Sequence, residues 1–150
     1  RYAPDVKFRV VNVVDLMRLC PGDRHPHGMR EEDFVRIFTV AAPVVFAFHG
    51  YPGVVHDLLH GRAAHERFHV RGYIEEGTTT TPFDMVVLNK TSRLHLCLDV
   101  ARYVPGMLHG SAALIERCNT LLADHEKYIR EHFDGLPEIK DGVWSDGAAT

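Results

Sequence analysis

Eleven histidines and three cysteines are the residues of this 150-residue chain from which chemistry could be built. His56-Asp57-Leu58-Leu59-His60 puts two imidazoles one helical turn apart. It mimics the zinc-protease pattern H-E-x-x-H, with Asp in place of Glu. Asp is one methylene shorter than the usual general base, and no third ligand stands nearby in sequence. A pair of histidines at the rim of a short helix is the simpler reading. His25-Pro26-His27 could also chelate, but it lies in a loop with no cysteine or carboxylate cluster beside it. Cys20, Cys97 and Cys118 are odd in number and form no C-x-x-C pair, which argues against a disulfide framework and a structural zinc site.

Two further stretches invite a binding reading. His49 follows an apolar run and precedes Gly50, at the strand end where open α/β sheets place ligands. It could serve as a general base or a phosphate contact; alternatively it is a buried histidine that bonds a neighbouring carbonyl and shapes the turn. Glu75-Glu76-Gly77-Thr78-Thr79-Thr80-Thr81 offers hydroxyls and backbone N–H groups ahead of a helix, as an anion site would. The two glutamates and Asp84 oppose a phosphate there, so a capped, ordered loop at a domain or subunit contact is the expectation. Dinucleotide, P-loop and nucleophile-elbow motifs are absent, as is a G-D-G segment of the diphosphate–Mg²⁺ type. The sequence assembles no nucleophile, base and oxyanion site.

The elements that would position these residues alternate. Val6–Leu16 is nearly continuous in apolar character, as in a strand buried on both faces. Cys20–Gly28 is a loop. Glu31–Val40 has Phe34, Ile37 and Phe38 at helical spacing behind an acidic first turn. Pro43–His49 is a second strand, Val54–Gly61 a short helix and Phe68–Tyr73 a third strand. Thr81 reads as an N-cap, with Pro82 at the first helical position and Asp84 three residues after the cap. Helices Pro82–Asn89, Ser92–Tyr103 and Ala112–His132 follow, and the tail from Gly135 packs Trp144 back or frays. This order predicts an α/β domain, a mainly parallel sheet with helices on both faces in three layers.

Composition limits the function. Hydrophobic residues make up 45% of the chain, and a domain of this length buries roughly 70% of its unfolded surface, so a core needs no staples. With 17 basic and 20 acidic residues there is no basic excess to hold a phosphate backbone, and no nucleic-acid partner is expected. No stretch approaches the ~20 apolar residues of a membrane span. Without a signal-peptide pattern or disulfides, a reducing cytoplasm is the expected compartment. The chain opens on Arg1-Tyr2-Ala3-Pro4, without methionine, and three strands make a narrow sheet. Residues 1–150 therefore read as one domain cut from a larger enzyme, truncated at the N-terminus.

Several segments carry a family resemblance: RVVNVVDL (Arg9–Leu16), FAFHGYP (Phe46–Pro52), HVRGYIEEGTTTTPFDMVVL (His69–Leu88) and HEKYIREHFDGLPE (His125–Glu138). Together they resemble the C-terminal domain of thiamine-diphosphate-dependent phosphoketolases acting on xylulose 5-phosphate and fructose 6-phosphate. The resemblance runs from Val6 to about Trp144, and its most specific stretch is Val70–Asp84. His25-Pro26-His27-Gly28 is also similar to the family. It implies a transketolase-like architecture of three α/β domains, of which this is the last. The intact enzyme would cleave the ketose phosphate with inorganic phosphate to acetyl phosphate and an aldose phosphate. Thiamine diphosphate and Mg²⁺ would be bound by the other domains, so no catalytic, cofactor or metal residue is carried over. The implied partners are the remaining domains and a second copy of the enzyme. Candidate contact residues are His49, Tyr51, Tyr73, Glu75, Glu76, Thr78, Thr79, Thr80 and Thr81. An independent small-molecule or phosphate-binding module using the same strand-end loops is the alternative.

Overall fold

The structure is a computed structural model and describes residues 6–77, 79–104, 106 and 111–140. After a 3-10 turn at Leu16–Leu19 come α1 (Glu31–Phe38), β1 (Val44–Ala47), α2 (Pro52–Leu59), a second 3-10 turn (His65–Arg67) and β2 (Phe68–Arg71). Then follow α3 (Pro82–Leu88), α4 (Arg93–Tyr103), α5 (Ala112–His132) and the short α6 (Pro137–Lys140). The result is a mixed α/β domain with a small parallel sheet and many helices. β1 and β2 pair in parallel, with Val44 opposite Phe68 and Ala47 opposite Arg71.

The local rules explain the helices. In α1 the acids Glu31, Glu32 and Asp33 occupy the first turn, where the dipole favours them, and Phe34 and Phe38 turn inward. α3 starts where the sequence places it: the Thr81 hydroxyl accepts from the Asp84 N–H and Pro82 holds the first position. Ser92 caps α4 in the same way, through the His95 N–H. α5 buries Leu114, Cys118, Leu121 and His125, spaced by four, three and four, so a single stripe faces the core.

The sheet departs from expectation. Among the described residues it has two strands, not three. Val6–Leu16 forms no strand: it holds no regular element ahead of the first 3-10 turn, and Phe8, Val10 and Val14 are 82%, 83% and 90% exposed. A strand buried on both faces needs neighbours for its backbone and for both rows of side chains, and no described segment supplies them. Arg9 instead ties the segment to the end of α1, donating to the carbonyls of Arg36 and Ile37 at 2.9 and 2.7 Å. The other boundaries fall close to the periodicity, although α2 starts two residues earlier than read, at Pro52. Trp144 lies outside the described residues.

Two apolar clusters form the core. The first joins Phe34 and Phe38 of α1, Val55 and Leu59 of α2, Phe46 of β1 and Phe68 of β2. Each large side chain buried there contributes roughly 1.5–3 kcal/mol. The second joins Leu94 of α4, Leu114, Cys118 and Leu121 of α5, and Ile139 of α6. A buried arginine secures the loop Cys20–Gly28. Arg62, 2% exposed, donates to the carbonyls of Leu19, Cys20 and Met29 and pairs with Glu31 at 2.7 Å. Its guanidinium also lies 4.1 Å from the Phe34 ring centre. Five donors in a planar fork let one side chain hold three carbonyls and a carboxylate.

Candidate functional site

The strand ends gather the residues singled out in the sequence. The parallel ladder continues past both strands: Phe48 N–H donates to the Arg71 carbonyl at 2.9 Å and Tyr73 N–H to the Gly50 carbonyl at 2.8 Å. Gly72 lets the chains approach this closely, since a Cβ there would sit 2.2 Å from the Gly50 oxygen. This places His49 and Tyr73 side by side, with ring centres 5.0 Å apart and edge to face. The Tyr73 hydroxyl lies 3.4 Å from His49 Nε2. His49 is exposed, which corrects the expectation of a buried histidine bonded to a backbone carbonyl. It sits one residue beyond Phe48, on the open side of the ladder. Next to this pair, the Tyr51 hydroxyl donates to the Glu75 carboxylate. That carboxylate holds the phenol above its ordinary range, first through the hydrogen bond and then through its charge. Tyr51 and its chain neighbour Val54, and Ile74 next to Glu75, are exposed.

The loop that carries Glu75 and Glu76 is gripped from beneath. Asn89, 3% exposed at the end of α3, accepts from the Ile74 N–H and donates to the carbonyls of Glu76 and Met85. Glu75 has φ 63 and Gly77 φ 93, so the loop bends through left-handed backbone twice. Glu75, Glu76 and Thr79 remain exposed. Thr80 and Thr81 point their hydroxyls inward: Thr80 donates to Asp84 Oδ2 at 2.6 Å while Thr81 caps α3. Thr78 lies outside the described residues.

Asp84 continues inward. Its Oδ1 lies 3.1 Å from Nε2 of His125, which is fully buried on α5. Nδ1 of His125 accepts from the Leu136 N–H at 3.4 Å, so Nε2 carries the proton and donates to Asp84. Thr80, Asp84 and His125 contain the three group types of a hydrolytic triad, but in the wrong order. The hydroxyl bonds the carboxylate rather than the imidazole, and no nucleophile is activated. The chain of bonds ties the threonine loop to α5 and to the turn before α6. It also fills the first turn of α3 with a carboxylate, which disfavours an anion at that helix end.

A second polar pair, with its carboxylate buried, joins β2 to α4. Arg71 reaches Asp99 of α4 with two bonds of 2.6 Å, and Asp99 is 2% exposed. His69 stacks on Tyr103 of the same helix, with ring centres 3.4 Å apart. Neither Asn89, Asp99 nor His125 was legible as a site residue. Their partners lie 15, 28 and 41 residues away, and no local pattern marks such pairs.

The remaining histidine candidates stay apart from this surface. His56 and His60 are both exposed, and His60 caps the end of α2. His27 lies 3.6 Å from Asp15, and its backbone N–H donates to His25 Nδ1 at 3.1 Å. Among the described residues, no group of three or more His, Cys, Asp or Glu side chains could hold a metal ion. Among the same residues no helix is long and apolar enough to cross a membrane.

The domain is a small α/β fold in which loops are pinned by buried polar pairs, with an aromatic and acidic surface left open at the strand ends. The chain belongs to the XFP C-terminal domain family, whose model matches residues 1–144. It is 51% identical over 141 residues to a probable phosphoketolase of Bradyrhizobium diazoefficiens and 52% over 141 residues to one of Gloeobacter violaceus. Each match takes in 94% of this chain and 18% of the relative. A probable phosphoketolase of Chlorobaculum tepidum is 47% identical over 146 residues, 97% of this chain and 18% of its own length. The chain thus spans 18% of the length of the curated relatives it matches.

Proposed function

We propose that residues 1–150 form the C-terminal domain of a phosphoketolase and act there by supporting assembly rather than by catalysis. The observation that carries this reading is the match itself: 47–52% identity across nearly the whole chain, to proteins of which it makes up 18%. The parent protein cleaves xylulose 5-phosphate or fructose 6-phosphate with inorganic phosphate, yielding acetyl phosphate and an aldose phosphate, in the cytoplasm. Thiamine diphosphate and Mg²⁺ are held by its other domains and supply the carbanion chemistry when bound. The domain adopts the three-layer arrangement of transketolase C-terminal domains, within a homodimer.

In this reading the strand-end surface is the contact with the other domains or the second subunit. Tyr51, Tyr73 and His49 supply area at low entropic cost, which suits an interface core, while Glu75, Glu76 and Thr79 supply the polar rim. Thr78 belongs to the same stretch. Thr80 and Thr81 serve indirectly, by holding the loop on α3. The test is to replace Glu75, Glu76 and Thr79 singly by alanine in the full-length protein and to measure sedimentation and phosphoketolase turnover. A fall in dimer affinity or turnover is expected for at least one variant. Unchanged sedimentation and turnover in all three would remove the proposed contact, and absence of acetyl phosphate production by the unmodified protein would remove the proposed reaction.

A further inference from the structure

The turn between α5 and α6 brings an electrophilic carbon and a backbone nitrogen together. α5 ends at His132 and α6 begins at Pro137. Phe133 closes α5 in the left-handed conformation, with φ 55, and its N–H donates to the Ile129 carbonyl at 3.0 Å. Asp134-Gly135 follows. The Gly135 N–H donates to Oδ1 of Asp134 at 2.7 Å, a bond between a side chain and the very next amide. The carboxyl carbon is one bond from that oxygen, so the same nitrogen lies beside it. Glycine adds no Cβ to crowd the approach. Among the described residues no other aspartate precedes a glycine, and Asp15 bonds the N–H two residues on, at Met17. Both flanks of the turn are held. The Leu136 N–H reaches His125 Nδ1 at 3.4 Å, Ile139 is 1% exposed, and the Ile139 carbonyl accepts from Arg93 at 2.9 Å.

We propose that Asp134-Gly135 is a site of spontaneous covalent modification, where the folded chain closes a succinimide and reopens it to isoaspartate. The Gly135 nitrogen bonds to Asp134 Cγ, the bond from Cγ to its hydroxyl oxygen breaks, and that hydroxyl leaves with the N–H proton as water. Water then opens the five-membered ring at either carbonyl. Attack at Cγ restores aspartate. Attack at the Asp134 backbone carbonyl carbon breaks its bond to nitrogen, so the chain now runs through the side chain. One water is lost and one regained, and the step needs no oxidant, reductant or cofactor. An amide nitrogen is a poor nucleophile, and what the fold supplies is proximity, the two reacting atoms being held together by the turn rather than meeting by chance. Asp134 is half-buried beside exposed Phe133, so water can reach the ring. The product carries one more backbone carbon between α5 and α6.

The experiment holds the full-length protein, and separately the free peptide Glu131–Lys140, at mildly acidic pH and physiological temperature for days. After trypsin, the altered Glu131–Lys140 peptide is a second peak of unchanged mass. Asp-N endoproteinase no longer cuts it before residue 134, and an isoaspartyl carboxyl methyltransferase labels it from S-adenosylmethionine. Conversion in the folded protein at least as fast as in the free peptide is expected. In D134E the second peak is lost, because the longer side chain would have to close a six-membered ring. Slower conversion in the folded protein than in the free peptide, or an undiminished second peak in D134E, overturns the proposal.

Discussion

His69 and His95 sit where a proton works against the fold. Burial is the first cause that lowers both. His69 is stacked on Tyr103, with Asp99 opposing the lowering and Arg102 adding to it. His95 has its Nδ1 2.7 Å from the Ser92 hydroxyl, and Arg71 and Lys90 add to the lowering while Asp99 opposes it. The unfolded chain therefore binds more protons than the folded one below the ordinary histidine range. Stability from these groups is complete above about pH 6.5 and falls as pH drops through that value toward the folded pKa. Urea midpoints should decline between pH 7 and 5.5, and less steeply in H69Q/H95Q. An equal decline in the double variant would assign the effect to other groups.

Between elements, the contact that shapes the candidate surface is the closing of the two strand ends. Gly72 contributes no side chain, and this absence lets Tyr73 N–H reach the Gly50 carbonyl. Gly72→Ala would place a methyl 2.2 Å from that oxygen, with Pro52 Cδ at 3.0 Å, so backbone must move. A loss of about 2–3 kcal/mol is expected, as for other overpacking changes, together with separation of His49 from Tyr73. Thermal unfolding measures the first effect. The second shows as loss of the aromatic ring-current shift on the His49 protons. The capped start of α3 behaves differently. Thr81, Pro82 and Asp84 are neighbours in sequence, so the cap is written locally and needs no tertiary partner to be recognised.

Across the whole molecule, the two apolar clusters are bridged through the sheet. Arg71 on β2 is held by Asp99 on α4, and α4 carries Leu94 into the second cluster. Asp99→Ala leaves a partly covered guanidinium without its two bonds. The expected cost is roughly 2–4 kcal/mol, somewhat below that of a fully buried pair because Arg71 is 31% exposed. Hydrogen exchange should then quicken in α4 before α1 and α2. Uniform quickening would mean that the clusters open together and that the bridge has no special place.

Much of this architecture could be read from spacing. The spacings of three and four among Leu114, Ile115, Cys118, Leu121, Leu122, His125 and Ile129 predict the helix Ala112–His132, and the acidic turn before Phe34 predicts α1, because helix periodicity and the preference for acids in the first turn are properties of near neighbours. The family resemblance is carried by four contiguous runs, Val70–Asp84 being the most specific stretch, and needs no structure. What tertiary structure decided was which apolar run finds partners and which polar groups are used up inside. Val6–Leu16 reads as a strand, but pairing requires another segment alongside, and its own residues cannot state whether one is there. Likewise Asp84 reads as a helix-start acid, while its bonds to Thr80 and His125 depend on α5 folding back across it. Local spacing thus determined the elements and the kinship. The strand count and the exposed strand-end surface were decided by contacts between residues far apart in the chain, whose geometry no local pattern encodes.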